Sequence, residues 1–189
     1  MPKLNADIIC FAGHKTLMGP FGIGGFALRK SIALAPVFTG GTGSDSLNLN
    51  MPTVGAGRYE ASSPNIVAIA GLLAALENLN PASHREHLED LGAYFSTQIE
   101  GLDNVHILGI TNTGNLGIFS FVVDGYLSDE VGTILNEEFD IAVRTGYHCA
   151  PHIHRHLNDK PFNGTIRVGF GPYNTKKDID ALINALESL

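Results

Sequence analysis

The stretch VHILGITNTGNLGIFSFVVDGYLSDEVGTILNEEFDIAV, Val105 to Val143, changes its hydrophobic period twice. Val105 to Leu108 and Gly117 to Val123 are dense in β-branched and aromatic residues and read as strands. Ser128-Asp129-Glu130 then caps a helix with acidic residues in its first turn, and Val131, Ile134, Leu135 and Phe139 recur at helical spacing. Ile141 to Val143 is a short apolar strand. Strand, strand, helix, strand is an α/β unit, and the rest of the chain is read outward from it.

Downstream, Thr165 to Val168 predicts a further strand. Thr175 with Asp178 three residues on is a capping-box-like start for a last helix bearing Ile179, Leu182, Ile183 and Leu186. Upstream, Asn80-Pro81 starts a helix whose apolar positions Leu88, Leu91, Phe95, Ile99 and Leu102 step by three and four, so one face is core. Before it, Ser63-Pro64 reads as a cap with proline at the first helical position. It leads into NIVAIAGLLAALENL, apolar on nearly every side and therefore expected to be buried all round. Ser31 to Gly57, including TGGTGS at Thr39 to Ser44, predicts a long surface or interface loop. Ile8 to Phe11 and Gly24 to Arg29 predict a two-strand unit joined through GPFGIG, the first strand buried-looking. The natural boundary falls near Asn80, giving residues 1–79 and 80–189.

Composition sets the class. The chain has 189 residues, 44% hydrophobic and 16% charged, which suffices for a buried core. A net charge of −7 without a basic stripe argues against nucleic acid or an anionic membrane surface as partner. Two cysteines, Cys10 and Cys149, are too few for a disulfide framework. No apolar run reaches membrane-spanning length and the N-terminus lacks a signal-peptide layout, so a cytoplasmic location is expected.

Three stretches could carry chemistry: GHK at Gly13 to Lys15, RTGYHCAPHIHRH at Arg144 to His156, and GTIRVGFGPYNT at Gly164 to Thr175. Taken singly each has a plain explanation. A lysine after a strand is a solvated loop residue, a cysteine a small core hydrophobe, and an arginine in a strand a snorkelling or structurally paired cation. Jointly they specify more. An amine among apolar and glycine residues suits a Schiff base with a carbonyl cofactor. A cysteine after His148 and five residues beyond Arg144 sits in electropositive surroundings that favour thiolate. Arg167 offers the planar fork that grips a carboxylate.

FAGHKTLMGPFGIGG, RYEASSPN, RTGYHCAP and GTIRVGFGPYNT, in this order, closely resemble the class V aminotransferase superfamily of fold-type I pyridoxal-phosphate enzymes. Within it they are most similar to the cysteine desulfurase and selenocysteine lyase group, and the similarity runs through essentially the whole chain. The resemblance implies a remnant of the cofactor-binding large domain at 1–79 and the small C-terminal α/β domain at 80–189. It implies pyridoxal 5′-phosphate carried on Lys15, with His14 and Ser63 at positions that contact the cofactor phosphate, Ser63 reaching across from a partner subunit of a homodimer. Cys149 matches the persulfide-forming nucleophile and Arg167 the substrate-carboxylate arginine, with Arg144 and His148 counted in the substrate site. The implied reaction takes sulfur from L-cysteine, or selenium from selenocysteine, to give alanine. Lys15 is the general base on Cα, and an acceptor protein is a further partner.

The sequence also departs from the family. Ala12 stands where many members have a phosphate-binding serine, and Ser62-Ser63 replaces a common Gly-Thr. Family members carry an Asp-x-x-Gln segment and a ring-stacking histidine upstream of the lysine, and MPKLNADIICF resembles an internal stretch of the family's sequence. The 189 residues are therefore expected to correspond to the C-terminal half of a longer enzyme and to be weakly cofactor-binding and poorly active by themselves. A second reading takes Cys149, His148, His152, His154 and His156 as a metal-binding module, with His152 and His156 on one face of a helix. A third is a non-catalytic dimerisation fragment.

Overall fold

The computed structural model describes residues 4–43, 45, 47–109 and 115–189. Met1 to Lys3 of the N-terminal run and Ser44, the last residue of TGGTGS, lie outside the described residues. The chain divides into two compact units, Met1–Leu79 and Asn80–Leu189.

In the first unit, β1 (Ile8–Ala12) pairs antiparallel with β2 (Gly24–Leu28), Cys10 opposite Phe26. Gly13 follows β1 directly, and its N–H donates to the Ile23 carbonyl at 2.9 Å. A Cβ there would meet Ile23 Cγ2 at 2.8 Å, so the chain turns this tightly only with glycine. The described residues of the long connection from Ser31 are irregular up to a short 3₁₀ turn at Ala56–Arg58. It is tied down at Leu34, whose N–H donates to the Tyr59 hydroxyl at 3.2 Å while that hydroxyl donates to the Leu34 carbonyl at 3.3 Å. Helix α1 (Ile66–Asn78) is capped by Asn65, which accepts the Ala68 N–H at 3.1 Å. The cap is thus Asn65 rather than Ser63, because an asparagine directly before the first turn supplies the acceptor that turn needs.

Two burial expectations fail in this unit. Neither strand contains a buried residue, and of α1 only Ala68 is buried. Ile66, Val67, Ile69, Leu73 and Leu76 are exposed, Val67 to 79%. An all-round apolar helix needs partners on every side, and one β-ribbon with a loop does not supply them.

The second unit is better covered. Asn80 accepts the N–H groups of Ala82 and Ser83, both at 3.2 Å, and Pro81 occupies the first position of α2 (Pro81–Ile99). Leu88, Leu91, Phe95 and Ile99 form its buried stripe. Strands β3 (Val105–Leu108), β4 (Ile118–Val123), β5 (Arg144–Gly146) and β6 (Thr165–Gly169) make a four-stranded sheet in the order β3-β4-β6-β5, antiparallel throughout. The short strand lies at Arg144–Gly146, not Ile141 to Val143, since it is the register with Thr165 to Arg167 that supplies ladder bonds.

Helix α3 (Ser128–Phe139) packs on β4, β5 and β6, and α4 (Lys176–Glu187) packs on α2 and α3. Ser128 is the first residue of α3, not its cap; its hydroxyl donates to the Asn163 carbonyl at 2.9 Å. Glu130 closes that end by accepting the Leu127 N–H at 2.7 Å. At α4, Asp178 accepts the Thr175 N–H at 2.7 Å. Phe95, Phe121, Leu135, Ile166, Ile179 and Leu186 are among the fully buried side chains of this core. Among the described residues no single helix is long and apolar enough to cross a membrane.

Candidate functional site

Lys15 sits on the connection that β1 and β2 clamp. Its carbonyl accepts the Met18 N–H at 2.8 Å, Gly19 N–H returns to the Gly13 carbonyl at 2.8 Å, and Met18 adopts φ +60°. The Lys15 side chain is exposed and, among the described residues, makes no ion pair or hydrogen bond. His14 beside it stacks on Phe21 with ring centroids 4.7 Å apart at 28°. Ser63 is exposed just ahead of the Asn65 cap, and Ser62 N–H donates to the Gly41 carbonyl at 2.7 Å. A cleft of about 820 Å³ opens elsewhere in this unit, beside Phe26, Arg29, Arg58 and Tyr59, and neither Lys15, His14 nor Ser63 lines it.

In the second unit the sheet topology gathers four sequence-predicted residues. Arg144 and Arg167 are cross-strand partners on β5 and β6. Directly opposed antiparallel partners project to the same face, so the two arginines share one face of the sheet. Among the described residues neither pairs with a carboxylate. Arg144 Nη2 donates instead to Cys149 Sγ at 3.6 Å.

Cys149 is exposed and lies in a tight turn. Ala150 N–H donates to the Tyr147 carbonyl at 2.8 Å, and the two central residues, His148 and Cys149, have φ +50° and +61°. Non-glycine residues in this region are uncommon and cost on the order of 1–3 kcal/mol each, so such turns persist only where surrounding contacts hold them. His148 is held by β6: its Nε2 lies 2.7 Å from Thr165 Oγ1 and 3.1 Å from the Thr165 carbonyl oxygen. Burial, then the neighbouring Arg167 cation, lowers the His148 pKa below the ordinary histidine value, and its Nδ1 is buried without a partner among the described residues.

The histidine-rich run after Cys149 forms no extended helix, only a 3₁₀ turn at Ile153–Arg155. His154 is buried and bonded through Nδ1 to Asp159 Oδ2, its ring 6.2 Å from that of His148. Among the described residues no three His, Cys, Asp or Glu side chains converge in a way that could hold a metal ion. The metal-module reading therefore finds no site. Residues that the sequence reading did not assign to the site are Tyr147, Thr165 and Asp159; Asn158-Asp159 reads as loop, and nothing in its spacing marks the aspartate as a buried partner of His154.

Residues 1–182 match the family model Aminotransferase class-V. A probable cysteine desulfurase of Mycobacterium leprae is 32% identical over 188 residues, covering 95% of this chain and 44% of the relative. A probable cysteine desulfurase of Vibrio cholerae is 31% identical over 190 residues, covering 97% and 45%. Among solved structures, the cysteine desulfurase CsdA from Escherichia coli superposes with a TM-score of 0.80 at 27% identity, over 99% of this chain and 47% of that one. The apo cysteine desulfurase of Thermococcus onnurineus superposes with 0.78 at 29%, over 99% and 48%. The chain belongs to the class V aminotransferase family, and its mixed α/β structure matches cysteine desulfurases over about half of their length. It likewise spans about half the length of the curated relatives it matches.

Proposed function

We propose that this chain carries the sulfur-transfer half of a pyridoxal-phosphate-dependent cysteine desulfurase. The observation that carries the reading is the paired Arg144 and Arg167 on adjacent strands, without a carboxylate among the described residues to neutralise them and with Cys149 against one of them. Two arginines on one face of the sheet suit an anion there, and an amino-acid carboxylate fits the guanidinium fork. The Arg144 guanidinium also holds Cys149 Sγ at 3.6 Å, beside the face on which the substrate carboxylate would lie. The relatives named as cysteine desulfurases support L-cysteine as substrate, with selenocysteine as the alternative.

The first unit suits the cofactor in the chemistry of its donors. Lys15 presents an exposed, unengaged primary amine on a glycine-constrained turn, which is what an aldehyde group requires; the phosphate is assigned to His14 beside it and to a Ser63 supplied by a partner subunit. When bound, pyridoxal phosphate supplies an electron sink for the substrate carbon. Lys15 would hold the cofactor, and its amine would accept the Cα proton. Arg167 and Arg144 orient the substrate carboxylate, and His148 braces the turn. Cys149 Sγ attacks the substrate sulfur: an S–S bond forms, the C–S bond breaks, and its electron pair stays with the carbon skeleton, which leaves protonated as alanine. Cys149 retains the sulfur as a persulfide for an acceptor protein. The exposed apolar side of α1 supports a homodimer as the working assembly.

Because the chain by itself is expected to bind the cofactor weakly, the test uses pyridoxal phosphate in large excess and long incubation with L-cysteine. Borohydride should fix the cofactor on Lys15, and L-cysteine should leave Cys149 heavier by one sulfur atom in the mass spectrum. Label absent from Lys15, or sulfur uptake unchanged in Cys149→Ser, would overturn the reading. Lys15→Ala should abolish both signals.

A further inference from the structure

We infer that His154 and Asp159 form a buried brace that positions the Cys149 turn through the Tyr147 carbonyl, a role that deepens the sulfur-transfer reading and rests on it. The Tyr147 oxygen is the point on which the turn closes. It accepts the Ala150 N–H at 2.8 Å, the hydrogen bond that spans His148 and Cys149, and it lies 3.1 Å from His154 Nε2. A carbonyl can only accept, so Nε2 must carry a hydrogen and donate it. Both of the oxygen's lone pairs are then committed, one to the turn and one to the brace.

The other end of the ring is fixed just as firmly. His154 Nδ1 is bonded to Asp159 Oδ2, and the two side chains are 6% and 0% exposed. With Nε2 donating to the Tyr147 oxygen and Nδ1 against Oδ2, rotation of the ring would leave its buried nitrogens unpaired, in addition to Asp159 Oδ1, which has no partner among the described residues. Asp159 is held in turn by its backbone carbonyl, which accepts Phe162 N–H at 3.1 Å and Gly164 N–H at 3.3 Å immediately before β6. The Tyr147 ring packs edge-on against the His154 ring, centroids 5.0 Å apart. The brace therefore ties the start of β6 to the residue that precedes the two positive-φ positions, which supplies the surrounding contacts such a turn needs. Its consequence at the sulfur is positional: with the Tyr147 carbonyl released, the turn relaxes and Cys149 Sγ leaves Arg144 Nη2.

Side chains of similar size separate positioning from mere packing. In His154→Gln the terminal amide can still donate to the Tyr147 oxygen, where imidazole Nε2 does. In His154→Asn the shorter amide can meet Asp159 but does not reach Tyr147. Alkylation of Cys149 by iodoacetamide at neutral pH, followed by mass spectrometry in a Cys10→Ser background, reads the sulfur directly and needs neither cofactor nor substrate. Loss of one hydrogen bond predicts a rate about five-fold lower in His154→Asn and in Asp159→Leu, with His154→Gln restored to within about two-fold of the parent. Thermal melting of the Asn and Gln variants, measured alongside, should differ little from one to the other. Equal alkylation rates in the parent, Asn and Gln chains, or a fall of equal size in both His154 variants, would overturn the brace. A brace that holds by this measure while Cys149 takes no sulfur from L-cysteine would instead sink the desulfurase reading alone.

Discussion

Gly164 is the residue whose replacement most directly tests how β5 and β6 hold the Cys149 turn. It has φ +94°, and a Cβ built on it would lie 2.6 Å from both the carbonyl carbon and oxygen of Gly146 and 2.8 Å from its Cα. Gly146 ends β5, next to Tyr147. In Gly164→Ala the atoms in conflict are backbone, so no side chain can swing aside. Reaching ordinary contact at 3.4 Å from 2.6 Å requires β5 to retreat by about 0.8 Å. Two costs add: the left-handed backbone with a Cβ, about 1–2 kcal/mol, and overpacking in a closely fitted site, about 1–3 kcal/mol. A loss of roughly 2–5 kcal/mol against a typical total of about 5–15 kcal/mol is large enough to measure without abolishing folding. Urea unfolding followed by circular dichroism should show the midpoint falling with little change in slope. Cys149 alkylation should slow, because the shift is delivered to the residue before Tyr147. A stability loss below about 0.5 kcal/mol, the size of a neutral surface change, would mean that β5 yields freely and that the turn is not held by its fit to β6.

Two further outcomes follow from the same structure. Because burial and Arg167 lower the His148 pKa, the folded chain keeps His148 neutral while the unfolded chain takes up a proton near pH 6.5. Stability should therefore fall as pH drops below about 6.5 and level off below the lowered folded value, and His148→Asn, which tolerates the positive φ, should flatten that dependence. Urea midpoints at about pH 7.5 and about pH 5 for the two chains test this, and identical slopes would refute it. Ile66 and Leu73 lie two helical turns apart on the exposed side of α1, so Ile66→Lys with Leu73→Lys should convert a concentration-dependent assembly to monomer in light scattering. A parent chain that is already monomeric at high concentration would contradict the dimer.

Local chemistry was legible without coordinates. Asn80-Pro81 and Thr175 with Asp178 mark helix starts because caps satisfy donors within one turn, and the spacing of Leu88, Leu91, Phe95 and Ile99 gives the buried side of α2 because the helical period is intrinsic to the backbone. The order GHK, RTGYHCAP, GTIRVGFGPYNT was enough to place the chain in its family, since those motifs are contiguous. What depends on residues distant in sequence was not legible. An apolar run does not say whether partners exist to cover it, so α1 and β1 were expected to be buried and are largely exposed. Four histidines within nine residues do not say which one turns inward; only the return of the chain through Asp159 to β6 selects His154. The opposition of Arg144 to Arg167 is likewise a property of strand order: β5 must come back antiparallel beside β6 before two cations separated in sequence can share one face and, with Cys149, define a site.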